Sequence, residues 1–272
     1  MGAGWSEIIY SGLLGGMVYF WTLWALRSKR VNLMLEPVAS FSVGFMACVI
    51  NHYSSSGFNI WLIILSSLII LVPGLSLTIG LAELSSRNLV SGTARVMDAT
   101  MQLFKLYFGA FLGVSLGYQL FGQQELAMAV TLPFWVNWLG VFMLSVGLVA
   151  IFRTPMKHVP WAITSTFIAY AASTWSSSYL ENGLGAFVGA FALGVFANIF
   201  SRIANAPSTI VAMPGLIVLV PGSKTYIGLN SFISGQDIIK TDHIAQETFL
   251  ILMSLVAGLI FANVVMPSRK SL

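Results

Sequence analysis

A fourteen-residue apolar segment occurs twice in this chain, and each copy contains the dipeptide Pro-Gly. The first copy, LIILVPGLSLTIGL, covers residues 68–81, and the second, LIVLVPGSKTYIGL, covers residues 216–229, which is 148 positions later. Nine of the fourteen positions are identical, including Pro73-Gly74 and Pro221-Gly222. This match indicates an internal duplication. Because proline interrupts a helix and glycine permits a turn, each copy predicts a broken helix.

The composition indicates that both copies lie in a membrane. Hydrophobic residues make up 57% of the chain and charged residues 8%, and the mean hydropathy is +0.86. Long apolar runs without strand-like alternation predict helices that cross a hydrocarbon core about 30 Å thick. The predicted fold is therefore an all-α integral membrane protein with about nine transmembrane helices. The predicted spans are 8–26, 38–53, 58–74, 97–120, 132–152, 159–176, 183–201, 207–222 and 246–266.

The basic residues predict how the chain is oriented. Ten of the thirteen Lys and Arg residues fall on one side of the predicted spans, two fall on the other side, and Lys105 lies inside the fourth span. Basic loops stay in the cytoplasm, so the N-terminus is predicted outside and the C-terminus inside a multi-pass inner (plasma) membrane protein. The net charge of +4 thus reflects cytoplasmic loops. The chain has no basic tract with interleaved aromatic residues, and no nucleic-acid partner is expected.

Motifs for enzyme chemistry are missing from the sequence. The single cysteine, Cys48, lies in a predicted span, and the three histidines do not cluster. No CxxC, HExxH or GxxxxGK[ST] pattern occurs. The sequence therefore predicts no cofactor, no metal site and no enzymatic activity.

The duplication predicts two membrane repeats. Residues 1–122 form the first repeat, and residues 123–272 form a connector helix plus the second repeat. Equivalent spans are five crossings apart, which is an odd number, so the two repeats are predicted to run in opposite directions. Inverted repeats with broken helices are a common architecture of secondary transporters.

The broken helices predict a binding site for a small anion. A half-helix that starts after a break directs backbone N–H groups and a positive dipole end at the gap. The carboxylate of an amino acid or of a dicarboxylate suits such a gap. The alternative is a kink that only shapes the helix bundle. The predicted substrate-binding residues are Ser67, Pro73, Gly74, Ser76, Thr78, Pro214, Gly215, Pro221, Gly222, Lys224, Thr225, Tyr226 and Asn230.

Three ionisable residues are candidates for coupling transport to a proton. Lys105 lies within an otherwise apolar span, where ionisable groups usually have a function. Asp98 precedes it by seven residues, on approximately the same helix face, and Glu247 lies near the start of the ninth span. Ordinary solvation at the end of a helix is the alternative for each carboxylate.

Three segments resemble the threonine/serine exporter family. They are LIILVPGLSLTIGLAELSSRNLVSGTAR (68–95), FRTPMKHVPWA (152–162) and IVAMPGLIVLVPGSKTYIGLNSFISG (210–235). The resemblance implies ten helices in two inverted five-helix repeats and export of small hydroxy amino acids by proton antiport. Related split-gene pairs are linked to dicarboxylate export.

One departure from the family pattern keeps other functions open. Family members usually begin with a soluble segment and one additional helix, and neither precedes Ile8. The missing helix is expected to come from a partner membrane subunit, unless the chain is a divergent form that works without it. The partners considered are a homo-oligomer and such a partner membrane subunit. The leading hypothesis is export of threonine or serine. The alternatives are dicarboxylate export, a non-transporting membrane subunit and, least favoured, a membrane enzyme.

Overall fold

The computed structural model describes residues 4–54, 58–85, 87–122, 133–180, 183–234 and 244–267. Within these ranges the regular structure is entirely helical, which confirms the all-α prediction. The helices are α1 (Trp5–Arg27), α2 (Lys29–Leu33), α3 (Leu35–Tyr53), α4 (Ile60–Leu68), α5 (Gly74–Ser85), α6 (Leu89–Phe121), α7 (Phe134–Ile151), α8 (Val159–Ser177), α9 (Gly185–Ile203), α10 (Thr209–Leu219), α11 (Gly222–Ser234) and α12 (Ile244–Val265). Single 3₁₀ turns follow α4 at Ile69–Leu71 and precede α8 at Met156–His158.

Several helices are long and apolar enough to cross a membrane. Among the described residues five segments meet this criterion, and a sixth does so if α4 and α5 count as one bent span. The five are Trp5–Arg27, Leu89–Phe121, Gly185–Ile203, Thr209–Gly228 and Gln246–Val265. The prediction of a helical membrane protein is confirmed, and the number of nine crossings stays a prediction.

The two Pro-Gly sites have the same backbone conformation. Val72 has φ −71° and ψ 121°, and its counterpart Val220 has φ −64° and ψ 128°. Both residues are extended because the ring of a following proline disfavours helical geometry. The next helix begins directly after each proline, at Gly74 and at Gly222. The predicted breaks at Pro73-Gly74 and Pro221-Gly222 are therefore confirmed.

Pro214-Gly215, another Pro-Gly pair among the predicted site residues, does not break its helix. Pro214 lies inside α10, which continues to Leu219. A proline inside a helix removes one hydrogen bond and disturbs the preceding turn. In that turn the carbonyl of Val211 accepts a hydrogen bond of 2.8 Å from the Ser165 hydroxyl on α8. The same hydroxyl also lies 2.7 Å from the carbonyl of Ala162 in its own helix. The carbonyl that loses its donor to Pro214 is that of Ile210, so the Ser165 contact supports the neighbouring carbonyl of the same turn.

The helices form two compact units, and the chain changes unit at both Pro-Gly breaks. The first unit contains the described parts of Met1–Pro73, Met97–Leu132 and Gly222–Asp242. The second unit contains the described parts of Gly74–Val96, Pro133–Pro221 and His243–Leu272. Consequently α5, which follows the first break, belongs to the second unit, and α11, which follows the second break, belongs to the first. The first unit therefore contains the half-helix of the second copy of the repeated segment, and the second unit contains the half-helix of the first copy.

Apolar side chains from distant parts of the chain form the core of the first unit. Helix α4 packs against α1 and α3. The core includes Val18 of α1, Val43 of α3, Ile64 of α4 and Val114 of α6, which are all at most 2% exposed. Burial of such a side chain contributes about 1.5–3 kcal/mol relative to full exposure in water. Lipid tails are themselves apolar, so in a membrane much of the stabilisation has to come from close packing of the helices.

The second unit has a corresponding core around α9. Helix α9 packs against α8, α10 and α12. Leu193 of α9, Leu216 of α10 and Leu255 of α12 lie in its buried cluster, and Leu75 of α5 packs against that cluster. The half-helix after the first break is thus anchored in the second unit by an apolar contact.

Glycines allow a close approach of two helices in each unit. In the first unit, a Cβ atom on Gly109 of α6 would collide with the carbonyl oxygen of Pro37 on α3. In the second, a Cβ atom on Gly258 of α12 would lie 2.5 Å from the carbonyl oxygen of Phe187 on α9. Small residues at such positions let membrane helices approach closely.

The same two helix pairs share a polar contact at corresponding positions. The Cys48 thiol lies 3.9 Å from the carbonyl oxygen of Val114. The Asn198 amide donates to Oδ1 of Asn263 at 3.0 Å and to the carbonyl of Met266 at 2.6 Å. Cys48 and Asn198 are 150 positions apart, and Val114 and Asn263 are 149 apart. The duplication therefore extends to how α3 meets α6 and how α9 meets α12.

Candidate functional site

The predicted site residues are divided between the two units. Those in the first unit are Ser67, Pro73, Asp98, Lys105, Gly222, Lys224, Thr225, Tyr226 and Asn230. Those in the second unit are Gly74, Ser76, Thr78, Pro214, Gly215, Pro221 and Glu247. The side chain of Asn230 lies outside the described residues. Each unit thus has its own set of candidate groups, centred on one half-helix.

In the first unit the candidate groups lie at the start of α11. Gly222 is buried, and Ser223, Lys224 and Thr225 are half-buried. The first N–H groups of a helix have no intrahelical acceptor, and they carry the positive end of the helix dipole. This turn therefore combines backbone donors, a cationic side chain and two hydroxyls.

Tyr226 is the most deeply buried polar side chain of that turn. It has no exposed surface, and its ring centroid lies 6.4 Å from that of Tyr107 on α6. Within the described part of the chain its hydroxyl has no hydrogen-bond partner. A buried polar group without a partner costs about 1–3 kcal/mol. The hydrogen-bonding capacity of the Tyr226 hydroxyl is therefore not used by any described residue.

In the second unit the corresponding position is satisfied within its own helix. Thr78 precedes Tyr226 by 148 positions and is also fully buried. Its hydroxyl donates a hydrogen bond of 3.1 Å to the carbonyl of Gly74, one turn earlier in α5. Ser76 is half-buried on the same helix. The two half-helices therefore differ in the polar group that each leaves available.

Ser67, the predicted site residue in α4, connects two helices of the first unit. Its hydroxyl lies 2.7 Å from the carbonyl of Ile63, one turn earlier, and 3.3 Å from the carbonyl of Ser11 on α1. Its proton is thus used within the bundle, and its lone pairs remain available as acceptors.

Lys105 has a carboxylate partner that the sequence interpretation missed. Its ammonium nitrogen lies 4.0 Å from Oε2 of Glu36, in the first turn of α3. The other oxygen of Glu36 accepts a hydrogen bond of 3.5 Å from the Gln102 amide. The available signal was an acidic residue just before the predicted span 38–53, but only the tertiary packing of α3 on α6 brings it to Lys105.

The other two coupling candidates lie in different surroundings. Asp98 is exposed on α6, and Glu247 is half-buried in the first turn of α12. An acidic side chain in a first helical turn is stabilised by the helix dipole. Neither of these positions is part of the Glu36–Lys105 contact.

Other features of the described structure do not add to the site. No cluster of three or more His, Cys, Asp or Glu side chains with metal-binding geometry occurs among the described residues. A groove of about 550 Å³ follows the end of α1 and is lined by Phe20, Leu23, Trp24, Leu26 and Arg27. Its lining is almost wholly apolar, as expected of a surface that faces lipid.

Comparison with protein families matches nearly the whole chain. Residues 1–117 match a model for threonine/serine exporters, and residues 137–265 match a second model, described as "Threonine/Serine exporter, ThrE". The chain belongs to the threonine/serine exporter family. The predicted family resemblance is thereby confirmed, and the family is one of membrane transporters.

Curated relatives of this exporter-family chain are fungal membrane proteins. "Pheromone-regulated membrane protein 10" of Eremothecium gossypii is 27% identical over 81% of this chain and 30% of that protein. The protein of the same name from Saccharomyces cerevisiae S288c is 25% identical over 91% of this chain and 65% of that protein. The one from Yarrowia lipolytica is 28% identical over 80% of this chain and 19% of that protein. The chain thus spans less than two thirds of the length of these relatives. No solved structure matches it.

Proposed function

We propose that this chain exports threonine or serine from the cell, in exchange for protons, across the plasma membrane. The observation that carries the proposal is the pair of equivalent Pro-Gly breaks, each followed by a half-helix that belongs to the other unit. Membership of the exporter family supports it. Broken helices in repeated halves are typical of the substrate sites of secondary transporters.

The amino-acid carboxylate is proposed to bind at the start of a half-helix. There the backbone N–H groups, the helix dipole and, in α11, Lys224 complement a negative charge. Hydroxyls and amides replace hydration around the rest of the solute. The residues proposed for this role are Ser67, Pro73, Gly74, Ser76, Thr78, Pro214, Gly215, Pro221, Gly222, Lys224, Thr225, Tyr226 and Asn230.

Proton coupling is proposed to involve the ionisable residues at membrane depth. Lys105 lies beside the carboxylate of Glu36, so the charges of these two side chains contribute to how α3 packs against α6. Asp98 and Glu247 remain the other proposed participants. A proton gradient that changes the charge on these side chains would favour one packing arrangement of their helices over another.

The proposed topology has the N-terminus outside and the C-terminus in the cytoplasm. We further propose that the repeats 1–122 and 123–272 run in opposite directions, which follows from the odd number of crossings between equivalent spans. The half-helices α5 and α11 then enter the membrane from opposite sides, as alternating access requires.

Reconstitution into liposomes tests the function. Purified chain is incorporated into vesicles loaded with labelled threonine, serine or succinate, and efflux is followed with and without an imposed pH gradient. The proposal expects threonine or serine efflux that responds to the gradient. Efflux of succinate alone assigns the chain to dicarboxylate export instead. Absence of flux for all three solutes contradicts the proposal and supports a non-transporting subunit.

A further inference from the structure

A buried tyrosine in one half-helix has a hydroxyl that bonds to no other residue described in the structure. Tyr226 is among the largest side chains that are completely buried in the described structure. Its aromatic ring packs beside that of Tyr107, at 6.4 Å between centroids. A phenylalanine would make the same ring contact. The hydroxyl therefore adds a desolvation cost that no hydrogen bond among the described residues offsets.

The position of this hydroxyl connects it to the proposed carboxylate site. Tyr226 is the fourth residue after Gly222, the first residue of α11. Residues four apart lie on the same face of a helix, one turn apart. A solute whose carboxylate lies at the amides that begin α11 therefore has its remaining polar group within one helical turn of Tyr226.

The other half-helix lacks this property. Thr78 occupies the equivalent position, but its hydroxyl donates to the Gly74 carbonyl 3.1 Å away. A threonine hydroxyl that donates to its own helix needs no hydrogen-bond acceptor from a ligand. Of these two equivalent hydroxyls, only that of Tyr226 has no hydrogen-bond partner among the described residues.

We propose that the Tyr226 hydroxyl is the group that selects solutes with a hydroxyl-bearing side chain. This inference rests on the proposed function and assigns its specificity to one atom. A phenol both donates and accepts a hydrogen bond, and so does an aliphatic hydroxyl. Valine has nearly the same shape as threonine but places a methyl group there. Its binding leaves the phenol unpaired, which is how polar sites reject apolar analogues.

The test compares Tyr226→Phe with the unmodified chain. Efflux of threonine, valine, serine and alanine from preloaded proteoliposomes is measured at the same protein density. The expected result is a fall of about tenfold or more in the threonine-to-valine and serine-to-alanine rate ratios, since one lost hydrogen bond changes discrimination by roughly this factor. Tyr10→Phe is the matched control, because Tyr10 is a partly buried tyrosine of the first unit that contacts Phe58. It should leave both ratios unchanged.

A second measurement distinguishes selection from a structural role. If the hydroxyl has no partner in the protein, Tyr226→Phe unfolds at the same temperature as the unmodified chain or higher, in detergent without solute. A clear loss of thermal stability without solute overturns the proposal, because it means that the hydroxyl bonds to the protein. Efflux with unchanged ratios also overturns it while leaving the proposed function intact. No efflux of any solute from the unmodified chain refutes the proposed function and this inference together.

Discussion

The ammonium group of Lys105 lies 4.0 Å from the carboxylate of Glu36, which joins α6 to the first turn of α3. The lysine side chain is 43% exposed to its surroundings and the glutamate 17%. A pair with this exposure contributes at most about 1 kcal/mol in water. Lys105, however, lies inside a predicted span, where the loss of its carboxylate partner leaves a charge that lipid does not stabilise. The pair is therefore expected to matter more for function than its distance alone indicates.

The first prediction concerns this pair. Glu36→Gln and Lys105→Met, each alone, should reduce the response of threonine efflux to an imposed pH gradient by about tenfold, because each leaves one charge unbalanced. The double variant should recover part of that response. A double-mutant cycle on efflux rates in proteoliposomes measures the interaction between the two residues.

The matched control for the pair is Glu83→Gln. Glu83 and Arg95 form an ion pair at 3.2 Å in the second unit, but neither is proposed to take part in coupling. This variant should keep the pH response of the unmodified chain. Strictly additive effects of the Glu36 and Lys105 substitutions would contradict a coupled role.

The second prediction concerns the glycines at the close helix pairs. Gly109→Ala and Gly258→Ala should each destabilise the protein by about 1–3 kcal/mol, because the added methyl group meets a backbone carbonyl that has little freedom to move. Thermal unfolding in detergent, followed by tryptophan fluorescence, measures the change.

Gly147→Ala provides the comparison. Gly147 lies in α7, and apart from its chain neighbours and the backbone of its own helix, no described atom lies within 4 Å of an added Cβ. Alanine there should be neutral or slightly stabilising, since alanine has the higher helix propensity. Equal losses of stability at all three positions would contradict the prediction, because close approach of another helix would then not set the effect.

The third prediction concerns the polar contact between α9 and α12. Asn198→Leu should cost about 1–3 kcal/mol of stability, because it leaves Oδ1 of Asn263 and the carbonyl of Met266 without their donor. Asn32→Leu, at an exposed position of α2, should change stability by less than about 0.5 kcal/mol. Thermal unfolding of the two variants is compared in the same detergent. Similar changes in stability would show that the Asn198 hydrogen bonds do not stabilise the packing of α9 on α12.

The local features of the fold were predictable from the sequence. Proline and glycine act on their immediate neighbours, so the breaks at Pro73-Gly74 and Pro221-Gly222 follow from residue type alone. Pro214 shows where this reasoning fails. The helix continues there, and the Ser165 hydroxyl that supports the disturbed turn comes from another helix. No local rule includes that contact.

The long-range features required the structure. The exchange of half-helices between units depends on tertiary packing, and the sequence predicted only a first and a second repeat. Glu36 lies just outside a predicted span, and residue spacing alone does not indicate that it contacts Lys105. Tyr226 was predicted as a binding residue among many. Only burial without a hydrogen-bond partner distinguishes it from its counterpart Thr78.

The most direct test of the central claim replaces each Pro-Gly break by Ala-Ala. Pro73→Ala/Gly74→Ala and Pro221→Ala/Gly222→Ala favour continuous helices, which should remove the half-helix ends that are proposed to bind the solute. Pro160→Ala is the matched control, because Pro160 lies in the first turn of α8, where proline is tolerated without a break. Membrane insertion of all variants is first compared on an equal-expression basis.

The deciding measurement is efflux of labelled threonine from proteoliposomes containing each variant. We predict efflux from the unmodified chain and from Pro160→Ala. In both double variants the efflux rate should fall by at least about tenfold, with membrane insertion unchanged. Efflux at the unmodified rate from both double variants would contradict a transport mechanism built on the broken helices.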